Sequence, residues 1–385
     1  MFQPRLLAAL LTATSLSLAA TAADSIAYIG TYTGGKSEGI YAFRLDENAR
    51  GGPVFTSLGL AAATPNPSFL AFDPARHLVF AVNETSNFNG QPGGGVSAFS
   101  ADPATGKLTL INQQPSMGKS PCHVVLDPTG RFLLVANYSS GNVSVFPVAA
   151  DGRLGAASDV VQHEGHGPDA KRQEGPHAHS VIFDPAKRYV FVCDLGNDKV
   201  FAYRLDAEHG RLVPAPAPET SLKPGSGPRH LAFSPDARFA YVLNELTATV
   251  TAFVYDAATG RLTEKETLST LPADYTGWKS GAEVIVHPSG RWLYTSNRGH
   301  NSLAQFSIDA TSGALKYEGV QDTGGKTPRH FSLLPSAKYL VVAHQDTDTL
   351  RVCRIDEATG RLQPEGDLIA APKPVCVEFL AGAGK

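Results

Sequence analysis

The sequence predicts an all-β protein: a seven-bladed β-propeller of four-stranded antiparallel blades, its ring closed by N- and C-terminal strands that share one blade. Three observations predict it. A motif recurs six times, its turn prolines 47 to 57 residues apart. The two ends of the chain carry complementary fragments of a further copy. Gly (37) and Pro (27) are frequent enough to supply a turn every few residues.

The six copies align on Pro74, Pro128, Pro185, Pro235, Pro288 and Pro335. "GPRHLAFSPDARFAYVLNE" from Gly227 and "TPRHFSLLPSAKYLVVAHQ" from Thr327 are two of them. Each reads as two apolar runs of five to seven residues joined by a tight turn, often Asp-Pro-x-x-Arg/Lys. Pro presets its own φ there and Asp bonds nearby backbone. A third run follows, such as "DKVFAYRL", then a turn of the type Asp-x-x-x-Gly-x-Leu ("DAATGRL", "DEATGRL") and a less regular fourth segment. The turn glycine supplies a left-handed conformation. Four strands in about 50 residues, repeated, point to propeller blades. The C-terminal "KPVCVEFLAG" matches a first strand, whereas "SIAYIGTYTGG" and "GIYAFRLDENARGG" match a second and third. Pairing the ends completes the seventh blade and removes the open sheet edges that invite aggregation. The glycine stretch 90–95 reads as a flexible loop.

Residues 1–23 are set apart from the propeller domain, 24–385. One Arg at position 5, an apolar run and a small-residue Ala-Thr-Ala read as a secretory signal peptide cut after Ala22 or Ala23. The mature protein is expected to be periplasmic or secreted, off the membrane, and a monomer. Apolar residues are 42% of the chain, charged residues 18%, and the net charge is −3, which excludes disorder and a nucleic-acid footprint. Cys122, Cys193, Cys353 and Cys376 show no metal spacing and sit in apolar runs, so buried free thiols are expected.

In an antiparallel pair the start of one strand lies beside the end of the next. First strands crowd the propeller axis, so these positions converge on one mouth of the central channel. Strand starts contribute His123, His177, His179, Arg229, His230, Glu283, Arg329 and His330; strand ends contribute Asn83, Glu84, Asn137, Tyr138, Asp194, Asn244, Glu245, Asn297, Arg298 and His344. Arginines and histidines outnumber carboxylates, and such a pit attracts a small anion. The repeat alone could place a terminal Asn or an Arg–Glu pair at each blade. The copies differ, however: the strand-start residue is Ser68, Cys122, His179, Arg229, Ala282, Arg329 or Val375. An asymmetric ring is what one asymmetric substrate requires.

"YIGTYTGG", "HAHSVIFDP", "GPRHLAFSP…YVLNE" and "YTSNRG" together resemble the lactonase family of seven-bladed propellers, over about Ile26 to Phe379. That family includes the propeller-type 6-phosphogluconolactonases and is similar in fold to the fungal carboxy-muconate lactonising enzymes. The resemblance implies a catalytic group of one His, one Glu and two Arg: His179 (or His177), Glu245, Arg229 and Arg298. His179 is preferred because it matches Arg229 in distance to the turn proline. His177, His123, His230, Arg329, His330, Asn244 and Asn297 are the accompanying substrate-binding candidates. The expected reaction is hydrolysis of a sugar lactone, with Glu245 or His179 as base on a water and the arginines holding the oxyanion. No metal or nucleotide cofactor is expected: Glu84, Asn137, Asp194, Asn244 and Asn297 offer oxygen ligands, but without ligand spacing. Two alternatives stand beside this: a non-enzymatic exported propeller that binds a small anion or a protein, and a muconate-type lactonising cyclase. Export sits awkwardly with a phosphorylated cytosolic lactone: either the substrate is an unphosphorylated sugar lactone, or the fold serves another lactone or acid.

Overall fold

The computed structural model describes residues 25–380. The expected signal peptide lies outside the described residues. Among those described, no helix is long and apolar enough to cross a membrane. Seven four-stranded antiparallel sheets follow one another round the ring. In the fourth, Pro228–Phe233 is innermost, followed outward by Phe239–Asn244, Thr249–Asp256 and Arg261–Ser269. The seventh is the shared blade: Pro374–Leu380 is innermost and pairs with Ser25–Thr31, register Ile26↔Leu380 to Thr31↔Pro374.

Local chemistry explains the repeated turns. Asp127 Oδ1 accepts from the backbone N–H of Arg131 (2.7 Å) and Phe132 (2.6 Å), and Asp184 does the same for Arg188 and Tyr189. The basic residue of the turn reaches sideways: Arg76 donates to Ala149 O at 3.1 Å, Arg131 to Ala207 O at 2.8 Å and Arg238 to Ala310 O at 2.5 Å. In the first five blades the motif therefore ties one blade to the next. Gly260 and Gly360 take φ of 78° and 68° in the second turn, which only glycine adopts without strain. The core is divided in the same way, into seven apolar clusters that each lie between two adjacent blades. Phe191 of the third blade meets Leu231, Val242 and Tyr255 of the fourth across one such boundary. All four cysteines are buried and free.

The stretch 90–95 is not the flexible loop expected. Asn87–Phe88 and Gln91–Pro92 form a small hairpin. A Cβ on Gly94 would lie 2.1 Å from Pro121, and one on Gly95 would lie 2.5 Å from the Phe88 ring. The glycines here permit close packing rather than motion.

Candidate active site

Six of the seven innermost strands enter through a β-bulge; Leu70–Asp73 of the first blade pairs without one. Pairing passes from Pro228↔Asn244 directly to His230↔Leu243, leaving Arg229 unpaired. Cys122, His179 and Arg329 are skipped in the same way in their own blades. A bulge re-aims the side chain of its extra residue. Cys122, Arg229 and Arg329 consequently line one axial cavity with Ser68, Glu84, His230 and Glu283.

Glu245 organises one side of the pit. Its carboxylate meets Arg172 at 2.6 Å, Arg298 at 2.8 Å, Arg229 at 3.2 Å and His179 Nε2 at 3.8 Å. Arg229 Nη1 also donates to Ala282 O, and Arg298 Nη2 to Gly281 O at 3.0 Å. Opposite, Glu84 accepts from Tyr32 Oη (2.9 Å) and Ser68 Oγ (2.5 Å), while the Arg329 guanidinium lies 5.2 Å from the Tyr32 ring centre. Deeper along the axis, the His123 ring stacks on Phe69 with centres 4.1 Å apart, and His230 lies 5.3 Å from both His123 and His179. Glu283 accepts from His230 Nδ1 at 3.0 Å and sits 3.5 Å from His330 Nε2.

The expected four, His179, Glu245, Arg229 and Arg298, are thus brought together. His230, Arg329 and His330 line the axial cavity, and His123 packs beside it against Phe69 and His230. His177 stands aside: its ring stacks on Tyr138 at 4.5 Å, and its backbone N–H binds Asp194. Asn244 and Asn297 are not in the pit. The Asn244 amide donates to Thr249 and Thr251 in its own blade, and Asn297 exchanges hydrogen bonds with Thr270. Asn137 likewise bonds Ser116, Asn142 and Ser144, and Asp194 receives His163 at 2.6 Å. Of the oxygen ligands that the sequence offered a cation, Asn137, Asp194, Asn244 and Asn297 are therefore dispersed among their blades, and Glu84 lines the axial cavity.

A model of the family described as "Lactonase, 7-bladed beta-propeller" matches residues 26–379. The chain belongs to this lactonase family. It is 39% identical to a 6-phosphogluconolactonase of Bacillus subtilis (strain 168), over 92% of this chain and 98% of that one. It is 34% identical to a 6-phosphogluconolactonase of Formosa agariphila, over 87% and 94%. Among solved structures it is similar to a periplasmic gluconolactonase of Pseudomonas aeruginosa, with TM-score 0.86, 35% identity and coverage of 92% and 99%.

The electrostatics of this lactonase propeller follow from burial. Burial alone would raise the Glu245 carboxyl, but Arg298, Arg229 and Arg172 outweigh it and bring it down to about 2. Burial, then Arg329 and Arg298, pull Arg229 down to about 10, so it stays charged at neutral pH. Burial and the neighbouring guanidiniums hold His179 and His230 well below the usual imidazole value, so both rings are neutral. Glu378 is pushed up to about 8 by burial and then by Glu283. A carboxyl raised above its ordinary 4.5 on folding costs stability increasingly as pH rises from 4.5 to 8. The Glu378 side chain is 33% exposed, which screens the effect, so Glu378→Gln is expected to stabilise by about 1–2 kcal/mol near pH 8. It should change little near pH 4. Unfolding midpoints at the two pH values measure this, and equal shifts at both would contradict it.

Arg172 is the site residue that the repeat does not reveal, because it lies between blades. The signal for it was the spacing: Pro128 to Pro185, at 57 residues, is the longest interval, and the extra length includes the segment that delivers Arg172 to Glu245. Tyr32 was equally out of view, in the loop after the first strand of the described chain.

Proposed function

We propose that the protein hydrolyses a sugar lactone in this pit, outside the cytoplasm. The observation that carries the reading is Glu245, whose single carboxylate holds Arg172, Arg229 and Arg298 together beside a neutral His179. Ester hydrolysis turns a neutral carbonyl into an oxyanion and then a carboxylate. Donors fixed before the reaction stabilise that charge without reorganising, and a water-poor pit strengthens them. Arg229 and Arg329 line the cavity in which the carbonyl oxygen would lie. Glu245 is too weakly basic to take a proton at neutral pH, because three guanidiniums hold its charge; its role is to keep them in place. The names of the relatives favour hydrolysis over a lactonising cyclase or a purely binding propeller. The signal-like residues 1–23 and the periplasmic neighbour support export.

Titration of released acid tests this, with periplasmic and cytoplasmic fractions assayed on gluconolactone, its 6-phosphate and other sugar lactones. Turnover of an unphosphorylated lactone in the periplasmic fraction is expected. A strict requirement for phosphate would contradict the periplasmic substrate, and rates no faster than spontaneous opening on every lactone would remove the hydrolase reading.

A further inference from the structure

We propose that His230, oriented by Glu283, is the base that takes the proton from the attacking water; this rests on the lactone-hydrolysis reading. Glu283 owes its position to the fifth blade. There the pairing passes from Gly281↔Asn297 to Val284↔Thr295, so the irregularity spans two residues instead of one. The Glu283 backbone N–H bonds Ser296 Oγ at 3.0 Å instead of a ladder carbonyl. Its carboxylate Oε1 accepts from Val284 N–H and from His230 Nδ1, both at 3.0 Å.

That contact fixes the tautomer. With Nδ1–H donating to the carboxylate, the lone pair of neutral His230 is on Nε2. Nε2 is buried and has no hydrogen-bond partner, and the side chain is 7% exposed. His230, Glu283, Arg229 and Arg329 line one cavity, whose enclosed part has room for about one water. Its neighbours do not match this arrangement. Backbone N–H groups of Val181 and Val377 donate to Nδ1 of His123 (3.4 Å) and His330 (3.2 Å), which leaves the hydrogen on Nε2 in both. Burial raises the Glu283 carboxyl, and the His330 Nε2–H, 3.5 Å from Oε2, opposes that rise together with Arg229. The nearest ion-pairing carboxylate oxygen to His179 is 3.8 Å away, too far to orient its ring.

The step balances. Water gives a proton to His230 Nε2 as its oxygen bonds the lactone carbonyl carbon, and the carbonyl π pair moves to an oxygen held by Arg229 and Arg329. The carbonyl re-forms, the ring C–O bond breaks, and the leaving ring oxygen takes the proton back from Nε2. Lactone and water become an open-chain hydroxy acid, which ionises and releases its own proton to solvent. Burial, then the Arg229 and Arg329 charges, depress His230 in the free protein; the oxyanion offsets the charges, so the ring gains basicity as the proton arrives.

The test is steady-state hydrolysis of gluconolactone by the full chain carrying His230→Gln or Glu283→Gln, with circular dichroism and thermal unfolding to establish folding. His230→Gln is expected to lower kcat about 100- to 10,000-fold with KM within about threefold. Glu283→Gln is expected to lower kcat at least about tenfold through the lost tautomer control. A purely structural role would instead move the unfolding midpoint and KM. Folded His230→Gln with kcat within about threefold of wild type overturns the proposal. Should that variant not fold, unchanged kcat in folded Glu283→Gln overturns it instead. Retained variant activity beside an active wild type removes only the dyad, whereas no turnover by wild type removes the hydrolase reading and the dyad with it.

Discussion

Arg229→Ala is expected to lower kcat/KM for lactone hydrolysis by about 100- to 1,000-fold, the effect of deleting one fixed donor from an oxyanion site. Arg229 is the residue to delete because three independent features converge on it. The bulge between Pro228 and His230 turns it off the ladder. Glu245 at 3.2 Å and Ala282 O fix its guanidinium. It lines the cavity with His230. It is only 3% exposed, so salt screens it weakly and the loss should persist at high ionic strength. Arg172 holds the same carboxylate from the rim, with its side chain 39% exposed, and Arg172→Ala should cost about tenfold or less. Steady-state kinetics at low and high salt measure both. An Arg229→Ala enzyme within about threefold of wild type would contradict the assignment.

Glu245→Gln is expected to destabilise the fold by about 3–5 kcal/mol, because it leaves buried guanidiniums without their counter-charge. Arg229 and Arg298 lose a partner in a region where burial already lowers both. The sign of the pH dependence follows from the same carboxyl. Its folded value of about 2 lies below its ordinary 4.5, so its contribution is fully present above pH 4.5 and is lost as pH falls towards 2. The glutamine variant lacks that titration, so the gap between variant and wild type should close over this window. Added sulfate or phosphate should raise the variant's midpoint more than that of wild type, since an anion can replace the missing charge. Thermal unfolding from pH 6 to 2.5, with and without sulfate, measures all three. A constant gap across that range would contradict the ion-pair account.

Much of this architecture was legible because a propeller writes its geometry as a period. The turn prolines marked the blades, and the fragments "KPVCVEFLAG" and "SIAYIGTYTGG" marked the closure that pairs Ile26 with Leu380. Antiparallel pairing then put Arg229, Glu245 and Arg298 on one rim before any coordinates. Asn244 and Asn297 end strands on the same rim yet stay out of the pit. Strand ends alternate in direction: Asn244 bonds Thr249 and Thr251 in its blade, and the adjacent Glu245 faces the axis. The bulges were not legible, since an extra residue in an apolar run leaves no mark in the pattern. Yet they are why Cys122, Arg229 and Arg329 leave the ladder and meet. Arg172 and Tyr32 were hidden for another reason: both lie on connecting segments, which no repeat constrains.

The most direct measurement is a crystal structure of the protein with gluconate, the product of gluconolactone opening. The account predicts its carboxylate within hydrogen-bonding distance of Arg229 and one other guanidinium of the pit, with the carboxylate carbon beside His230. Gluconate bound away from the axis, touching neither Arg229 nor His230, would contradict it.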